Sequence, residues 1–292
     1  MREITVAAIQ MSASGTIEEN IAKAAKYASE AADRGAQIIL LQELFETTYF
    51  CQKTLEKYHF LATTVEENKA IAFFTKFAKE RKVVVPISFF ERGENANFNS
   101  LAVIDASGEI LGVYRKSHIP DGPGYEEKCY FAPGDTGFMV WDTAYARIGC
   151  GICWDQWFPE AARCMCLNGA ELLFYPTAIG SEPLDPSMHS RAHWQTVMQG
   201  HAAANLTPVI AANRVGTENE GDSSITFYGS SFIADEQGQI VNSLDEAEEG
   251  ICLATLDLDK IAEARRNWGV FRDRRPDLYG AIVREDTFSS AK

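Results

Sequence analysis

The chain has 292 residues, and its hydrophobic content of 46% can bury one large core or two modest ones. A formal net charge of −14, with 27 basic residues that form no clustered stripe, argues against nucleic acid as a partner. No apolar stretch is long enough for a signal peptide or a membrane span, and the seven cysteines are unevenly spaced. We therefore expect a cytoplasmic protein with free thiols and no membrane association.

The first part of the chain predicts alternating strands and helices. Thr16 and Glu19 have the spacing of a capping box and predict a helix that runs until Gly35. Thr64 and Glu67 have the same spacing and predict that a second helix opens there. Apolar strands are predicted at residues 4–9, 38–41 and 83–90. This order is typical of a layered α/β protein.

Two hairpins are predicted further along the chain, one formed by residues 99–105 and 109–115 and the other by residues 225–234 and 239–243. Hairpins among α/β units indicate mixed sheets, so we expect two sheets face to face with helices outside. No repeat or linker interrupts the pattern, and residues 1–292 are predicted to form a single domain.

Four of the seven cysteines lie within residues 147–166, where they could form a zinc cluster, a dithiol, a nucleophile or part of a core. Residues 158–168 have helical spacing, so the side chains of Cys164 and Cys166 would lie about 200° apart around the helix axis. They could not both bind one metal ion. Residues 145–152 predict a strand that contains Cys150 and ends before Cys153, which places these two thiols on opposite faces. Cys153, at a strand end, is therefore the candidate nucleophile.

Two charged residues also follow apolar strands directly. Glu43 comes after the run IILLQ, and Lys116 comes after EILGVYR. Taken alone, Glu43 is either a base in a partly dry site or a solvated loop residue, and Lys116 is either an oxyanion partner or a surface cation. None of the five histidines lies in a recognised cysteine-protease context, so a Cys–His pair is a weak alternative.

Five segments in this order resemble the nitrilase superfamily: LLQELF, GVYRKSHIP, YFAPGD, GICWD and GAELLFYPTA. The resemblance extends from Thr5 to about Leu278. It implies a four-layer α-β-β-α sandwich of the α/β class and a triad of Glu43, Lys116 and Cys153. It also implies hydrolysis of a nonpeptide carbon-nitrogen bond without metal or organic cofactor.

The resemblance further implies a homo-oligomer, a dimer or larger, with the segment from about residue 269 as a tail used in oligomer contacts. Many relatives have proline where this chain has Gln42, a difference expected to affect only the local turn. The superfamily's second glutamate matches Glu127 best, with Glu126 as the near alternative. Beside Glu43 and Lys116, this carboxylate would hold the lysine charged and fix the substrate's ureido or amide group.

The segments GICWDQWFPEAAR, HWQTVMQGHAAANLTPVIAANRVG and NWGVFRDRRPDLYG are similar to the branch that hydrolyses N-carbamoylputrescine. In the implied reaction Glu43 takes the proton of Cys153, while Lys116 and the backbone N–H of Trp154 stabilise the oxyanion. Because the thiolate would form beside Lys116, rapid alkylation of Cys153 is also expected.

A cationic carbamoyl-amine substrate needs an acid at the far end of its pocket. The loop after the strand at residues 172–175 offers Glu182, with Asp185 as the next choice, and Tyr49 and Trp154 are expected to line the path of the methylenes. A β-ureidopropionase or an ω-amidase would need a cation there instead. A noncatalytic binding protein or a redox dithiol protein would place no requirement on Glu43 or Lys116.

Overall fold

Strands and helices alternate along residues 1–183, 185 and 187–284, the part of the chain that the computed structural model describes. The α-helices within this part are α1 (Ile17–Asp33), α2 (Lys69–Arg81), α3 (Pro159–Leu167), α4 (Arg191–Asn205) and α5 (Leu258–Trp268). The strands are β1 (Glu3–Gln10), β2 (Ile38–Leu40), β3 (Val85–Arg92), β4 (Asn97–Ile104), β5 (Ile110–Arg115), β6 (Val140–Asp142), β7 (Arg147–Cys150), β8 (Leu172–Thr177), β9 (Val209–Asn213), β10 (Val215–Glu220), β11 (Ser223–Tyr228), β12 (Phe232–Ala234), β13 (Ile240–Ser243) and β14 (Gly250–Asp257).

Two mixed sheets form the centre of the molecule. In the first, β14, β1 and β2 are neighbours, and β3, β4 and β5 form a meander. A parallel bridge between Ile38 and Val84 joins the two halves. The second sheet has the order β13-β12-β9-β8-β7-β6, in which β7, β8 and β9 are parallel. Because parallel neighbours end at the same edge, the loops after β7 and β8 lie side by side.

The sheets pack face to face and are covered by helices on both outer sides. Leu101 of the first sheet and Phe174 of the second belong to one buried cluster between the sheets. Phe74 of α2 packs with residues on the outer face of the first sheet, and Trp194 of α4 packs on that of the second. The predicted four-layer α-β-β-α sandwich is confirmed.

The capping box before α1 is confirmed, but the predicted start of α2 is wrong. Thr16 Oγ1 accepts a hydrogen bond from the N–H of Glu19. The second Thr–Glu pair only forms a turn, in which the N–H of Thr64 donates to a carboxylate oxygen of Glu67 at 3.1 Å. The helix begins at Lys69, because Asn68 is the residue whose side chain accepts from the N–H of Ile71.

The predicted strand at residues 225–234 is two strands. β11 pairs with β10, whereas β12 pairs with β9 and β13 in the second sheet. Gly229 and Ser230 separate them, with φ angles of 51° and 57°. This left-handed backbone turns the chain from one strand pair to the next, which an apolar run does not reveal.

The last described segment has large apolar side chains at its surface. It contains a 3₁₀ helix, Pro276–Val283, in which Leu278, Ile282 and Val283 are exposed, and Trp268 at the end of α5 is 75% exposed. Among the described helices, none combines the length and the apolar character needed to cross a bilayer.

Candidate active site

Three strand ends bring the predicted triad together. Glu43 follows β2, Lys116 follows β5 and Cys153 follows β7, and all three side chains are buried. Lys116 Nζ lies 2.8 Å from Glu43 Oε1 and 2.6 Å from Glu127 Oε2. Glu127 comes from the 3₁₀ turn Glu127–Cys129 and is 1% exposed. Lys116 therefore lies between two buried carboxylates.

Cys153 has a left-handed backbone, with φ = 41°, where the chain leaves β7 and enters the 3₁₀ turn Cys153–Trp157. Such a conformation is unfavourable for residues other than glycine and is found at functional turns. Its sulfur lies 3.8 Å from the carbonyl oxygen of Ala178, which follows the neighbouring strand β8. The turn thus presents the thiol at the edge where the loops after β7 and β8 meet.

The two glutamates beside Lys116 determine the protonation of that lysine. Burial by itself lowers the pKa of Lys116, but the charges of Glu127 and Glu43 outweigh this effect and hold that pKa well above its usual value. Burial raises the pKa of Glu127 to about 7 against the opposing charge of Lys116. Lys116 is thus an ammonium that can stabilise developing negative charge.

The surroundings of Cys153 favour its protonated thiol, so the thiolate expected beside Lys116 has to form during the reaction. Burial and the charge of Glu43 raise its pKa well above the usual value, and the opposing effect of Lys116 is smaller. A base must therefore take the proton during attack. Glu43 can do so, because its Oε2 is buried without a hydrogen-bond partner among the described residues, while its Oε1 accepts from Asn99 Nδ2 at 2.7 Å.

A close backbone approach fixes the position of Lys116. The N–H of Gly134, in the YFAPGD segment, donates to the carbonyl oxygen of Lys116 at 2.8 Å. A Cβ atom at this glycine would lie 2.0 Å from the carbonyl oxygen of Arg115, so no other residue fits without moving the backbone. Arg115 itself forms a bidentate pair with Glu91. Lys116 is therefore attached to a strand end whose backbone is held in place on both sides.

Sequence reasoning missed three residues that hold the site: Asn99, Asp155 and Arg214. Asp155 is fully buried and accepts from the N–H of Ile152, and Arg214 is fully buried beside the chain segment that carries Glu43. Arg214 comes directly after the apolar strand β9, so the strand-end rule that found Glu43 could have found it as well.

Gln42 does more than shape its local turn. Its amide donates to the carbonyl oxygen of Met11 at 2.7 Å and accepts from the N–H of Met11 at 3.2 Å. These two bonds tie the segment before Glu43 to the chain leaving β1. The expectation of a purely local effect is therefore wrong.

A cavity of about 460 Å³ opens at Cys153. Cys153 and Glu127 line it, together with apolar and aromatic groups that include Trp154 and Trp157. The acids in its wall are Glu127, the half-buried Glu182 and the exposed Asp121. Among the described lining residues there is no lysine or arginine, and His193 is the one group that can become a cation. An elongated molecule with a positive end suits this arrangement.

Of the two acids predicted to contact the substrate amine, only Glu182 lines the cavity. Glu182 is half-buried in the cavity wall, and burial raises its pKa, whereas Asp185 is exposed and accepts hydrogen bonds from Ser187. Tyr125 fixes the loop of Glu182, since its hydroxyl donates to the carbonyl oxygen of Ser181 and accepts from the N–H of Gly180.

Trp154 lines the cavity and is 39% exposed. Tyr49 is buried and is not among the residues that line the cavity. The Tyr49 hydroxyl donates to Glu127 Oε1 at 2.7 Å, so this side chain supports a carboxylate instead of lining the described cavity. Glu126, the alternative to Glu127, forms no part of the lysine cluster among the described contacts.

The other cysteines of residues 147–166 have separate environments. Cys150 is buried between the sheets and Cys164 is exposed, whereas Cys166 lies on the face of α3 that is buried against the second sheet. Across the described residues, no three His, Cys, Asp or Glu side chains are grouped so that they could hold a metal ion.

Comparison with known proteins identifies the family of the chain. The family model for carbon-nitrogen hydrolases matches residues 5–266. The chain is 55% identical to N-carbamoylputrescine amidase from Arabidopsis thaliana, over 98% of this chain and 97% of that protein. It is 53% identical to a citrullinase from Francisella tularensis, over 98% and 100% of the two chains. The crystal structure of a carbon-nitrogen hydrolase from Helicobacter pylori G27 superposes with a TM-score of 0.92, at 39% identity and over 97% and 99% of the chains. The chain belongs to the carbon-nitrogen hydrolases of the nitrilase superfamily.

Proposed function

We propose that this protein hydrolyses N-carbamoylputrescine to putrescine, carbon dioxide and ammonia, a step of polyamine synthesis. The observation that carries the proposal is the cavity, whose wall contains both Cys153 and Glu182 among apolar and aromatic side chains. A ureido group needs a nucleophile, and a protonated amine needs an acid at the other end. The similarity to several N-carbamoylputrescine amidases supports the same substrate.

In the proposed reaction Glu43 takes the proton of Cys153, and the sulfur attacks the carbamoyl carbon. Lys116 and the backbone N–H of Trp154, the residue after the nucleophile, stabilise the tetrahedral oxyanion. Glu127 holds Lys116 charged and orients the ureido group. Ammonia leaves with a proton delivered through Glu43 or Lys116, and a carbamoyl thioester remains on Cys153.

The second half of the reaction uses the same base. Glu43 activates a water molecule that attacks the thioester, and the sulfur leaves and regains a proton. The released carbamate decomposes to the diamine and carbon dioxide. These steps draw every proton and electron pair from the side chains, the substrate and water, so no cofactor is needed.

Citrulline is a second candidate because a citrullinase is similar over the whole chain. Citrulline has a ureido group at one end and an amino acid group at the other, so its carboxylate would call for a cation. Substrates of β-ureidopropionases and ω-amidases also end in a carboxylate. The lack of lysine and arginine around the described cavity favours the diamine derivative.

Ammonia release from matched substrates tests the assignment. The purified chain would be assayed with N-carbamoylputrescine, citrulline and N-carbamoyl-β-alanine. We expect kcat/KM for N-carbamoylputrescine to exceed the other two by at least about 10-fold, since the half-buried Glu182 attracts an ammonium and repels a carboxylate. A higher kcat/KM for either carboxylate substrate would overturn the substrate assignment.

We further propose that the enzyme works as a homo-oligomer in the cytoplasm, with the segment from about residue 269 in the subunit contacts. The exposed Leu278, Ile282 and Val283 support such a contact, and the seven free thiols suit a reducing compartment. Sedimentation of the full chain is expected to give a dimer or a larger species, and replacing these three residues by serine should shift it toward the monomer. A monomeric parent would overturn this assembly.

A further inference from the structure

Arg214 is a fully buried guanidinium that holds the chain carrying the catalytic base. Its Nη2 donates to the carbonyl oxygens of Glu43 at 3.0 Å and Leu44 at 2.8 Å. Its Nη1 donates to the carbonyl oxygen of Thr47 at 2.9 Å. Leu44 has φ = 48°, so the backbone directly after the base is in an unfavourable left-handed conformation. Three bonds from one planar group can hold this conformation in place.

The same guanidinium is linked to the second carboxylate. Arg214 Nη1 lies 2.7 Å from Glu218 Oε1, and Glu218 Oε2 accepts from the N–H of Tyr49 at 2.5 Å. The hydroxyl of Tyr49 then donates to Glu127 Oε1. All of these side chains are buried. Arg214 therefore supports Glu43 by bonding to the backbone of that residue. It supports Glu127 indirectly, through Glu218 and Tyr49.

The charge arrangement also favours a role beyond packing. The carboxylates of Glu43, Glu127 and Glu218 share the buried region with two cations, Lys116 and Arg214. Lys116 contacts the first two carboxylates, and Arg214 pairs with the third. Arg214 thus neutralises Glu218 and leaves Lys116 fully engaged with the reacting groups.

We propose that Arg214 is a positioning residue that aims the carboxylate of Glu43 at Cys153 and, through Glu218 and Tyr49, holds Glu127 against Lys116. This inference rests on the proposed function only in making Glu43 the base of the reaction. A general base misplaced by about 1 Å can lose about 100-fold in rate, so the effect of disturbing Arg214 is measurable.

Arg214→Lys tests the proposal because an ammonium keeps the charge but cannot bond to four acceptors in a plane. We expect kcat for N-carbamoylputrescine to fall by about 100-fold while KM changes by less than about threefold. Arg265→Lys is the matched control, since Arg265 also donates to two backbone carbonyls, those of Ala170 and Cys166, away from the cavity. This control is expected to lower the melting temperature and leave kcat unchanged.

Iodoacetamide labelling makes the test independent of the substrate. The rate of labelling at Cys153, measured by peptide mass spectrometry, depends on proton removal by the base and needs no carbamoyl compound. We expect it to fall at least about tenfold in Arg214→Lys and to stay unchanged in Arg265→Lys. If the parent hydrolysed none of the ureido substrates, the proposed substrate would be wrong, and the labelling experiment would still decide the role of Arg214.

Tyr49→Phe is the second variant, for the case that Arg214→Lys does not fold. It keeps the ring and removes only the hydroxyl that contacts Glu127. We expect kcat to fall by about tenfold with little change in KM, because one hydrogen bond to a charged group is lost. If kcat and the labelling rate stayed within twofold of the parent in the folded variants, Arg214 would be a structural residue and the inference would be overturned.

Discussion

The backbone N–H and the Nδ1 atom of His118 lie 3.0 and 2.8 Å from the same oxygen of Asp155. The other carboxylate oxygen of Asp155 accepts from the N–H of Ile152 at 2.9 Å and from the hydroxyl of Tyr114 at 2.8 Å. One buried carboxylate thus joins the turn that carries Cys153 to the strand end that carries Lys116. Movement of one would displace the other.

Replacing Asp155 by asparagine should therefore damage both stability and catalysis. Asparagine has a single acceptor oxygen, so the donors on one side would face an amide NH₂. We expect the free energy of unfolding to fall by about 1–3 kcal/mol and kcat to fall at least about tenfold. Urea unfolding and steady-state kinetics measure these effects. Asp142→Asn, which breaks only an exposed pair with Arg147, is the control. Equal behaviour of the two variants would contradict this role.

The single-nucleophile mechanism predicts different outcomes for neighbouring cysteines. Cys153→Ala or Cys153→Ser should abolish ammonia release while the fold and substrate binding persist. Cys150→Ser should keep kcat, because this thiol is buried between the sheets and does not line the described cavity. Circular dichroism would check folding. Equal inactivation of two folded variants, or stoichiometric zinc in the parent, would show that the mechanism is wrong.

The base and the oxyanion partner can be separated by conservative replacements. Glu43→Gln keeps the shape but removes the proton acceptor, so kcat should fall by about 10²–10⁴-fold. Lys116→Arg should lower kcat to a similar extent, because a planar guanidinium does not fit between Glu43 and Glu127 as a compact ammonium does. Lys128→Arg, an exposed site on the Glu127 turn, is the control. Near-normal turnover in either folded variant would remove that residue from the triad.

Glu182 is expected to select the positive end of the substrate. Glu182→Gln should raise KM for N-carbamoylputrescine by about 10- to 100-fold, a loss moderated by the partial exposure of the side chain. A neutral carbamoyl-alkylamide of equal length should be spared, because its tail has no charge to match. Asp185→Asn is the control, since Asp185 is exposed outside the described cavity. Equal losses on both substrates would contradict this role.

Glu127 should make stability depend on pH in a predictable direction. Burial raises its pKa from 4.5 to about 7, so between these values the folded state holds a proton that the unfolded state releases. This contribution to stability is present below pH 4.5 and is lost as the pH rises toward 7. Urea unfolding across this range should therefore show a steeper decline for the parent than for Glu127→Gln. Glu126→Gln should follow the parent; identical slopes in all three proteins would refute this assignment.

The candidate side chains could be predicted in two steps. The strand-end pattern singled out Glu43, Lys116 and Cys153, and the resemblance to the nitrilase superfamily made them a predicted triad. Taken alone, Glu43 and Lys116 fit a solvated loop residue and a surface cation equally well. Arg214 and Asn99 could not be connected to Glu43, because they lie 171 and 56 residues away in sequence and the contacts depend on how the sheets stack. Tyr49 was misplaced for the same reason: its position behind Glu127 is set by tertiary packing.

The division of the catalytic groups between the two sheets has a consequence for folding. Lys116 follows a strand of the first sheet, and Cys153 follows a strand of the second. Neither sheet alone can assemble the reactive cluster, and pairing β1 with β14 joins residues from opposite ends of the chain. Contacts this distant in sequence form slowly. We therefore expect catalytic activity to return late in refolding, once the two sheets have packed against each other in register.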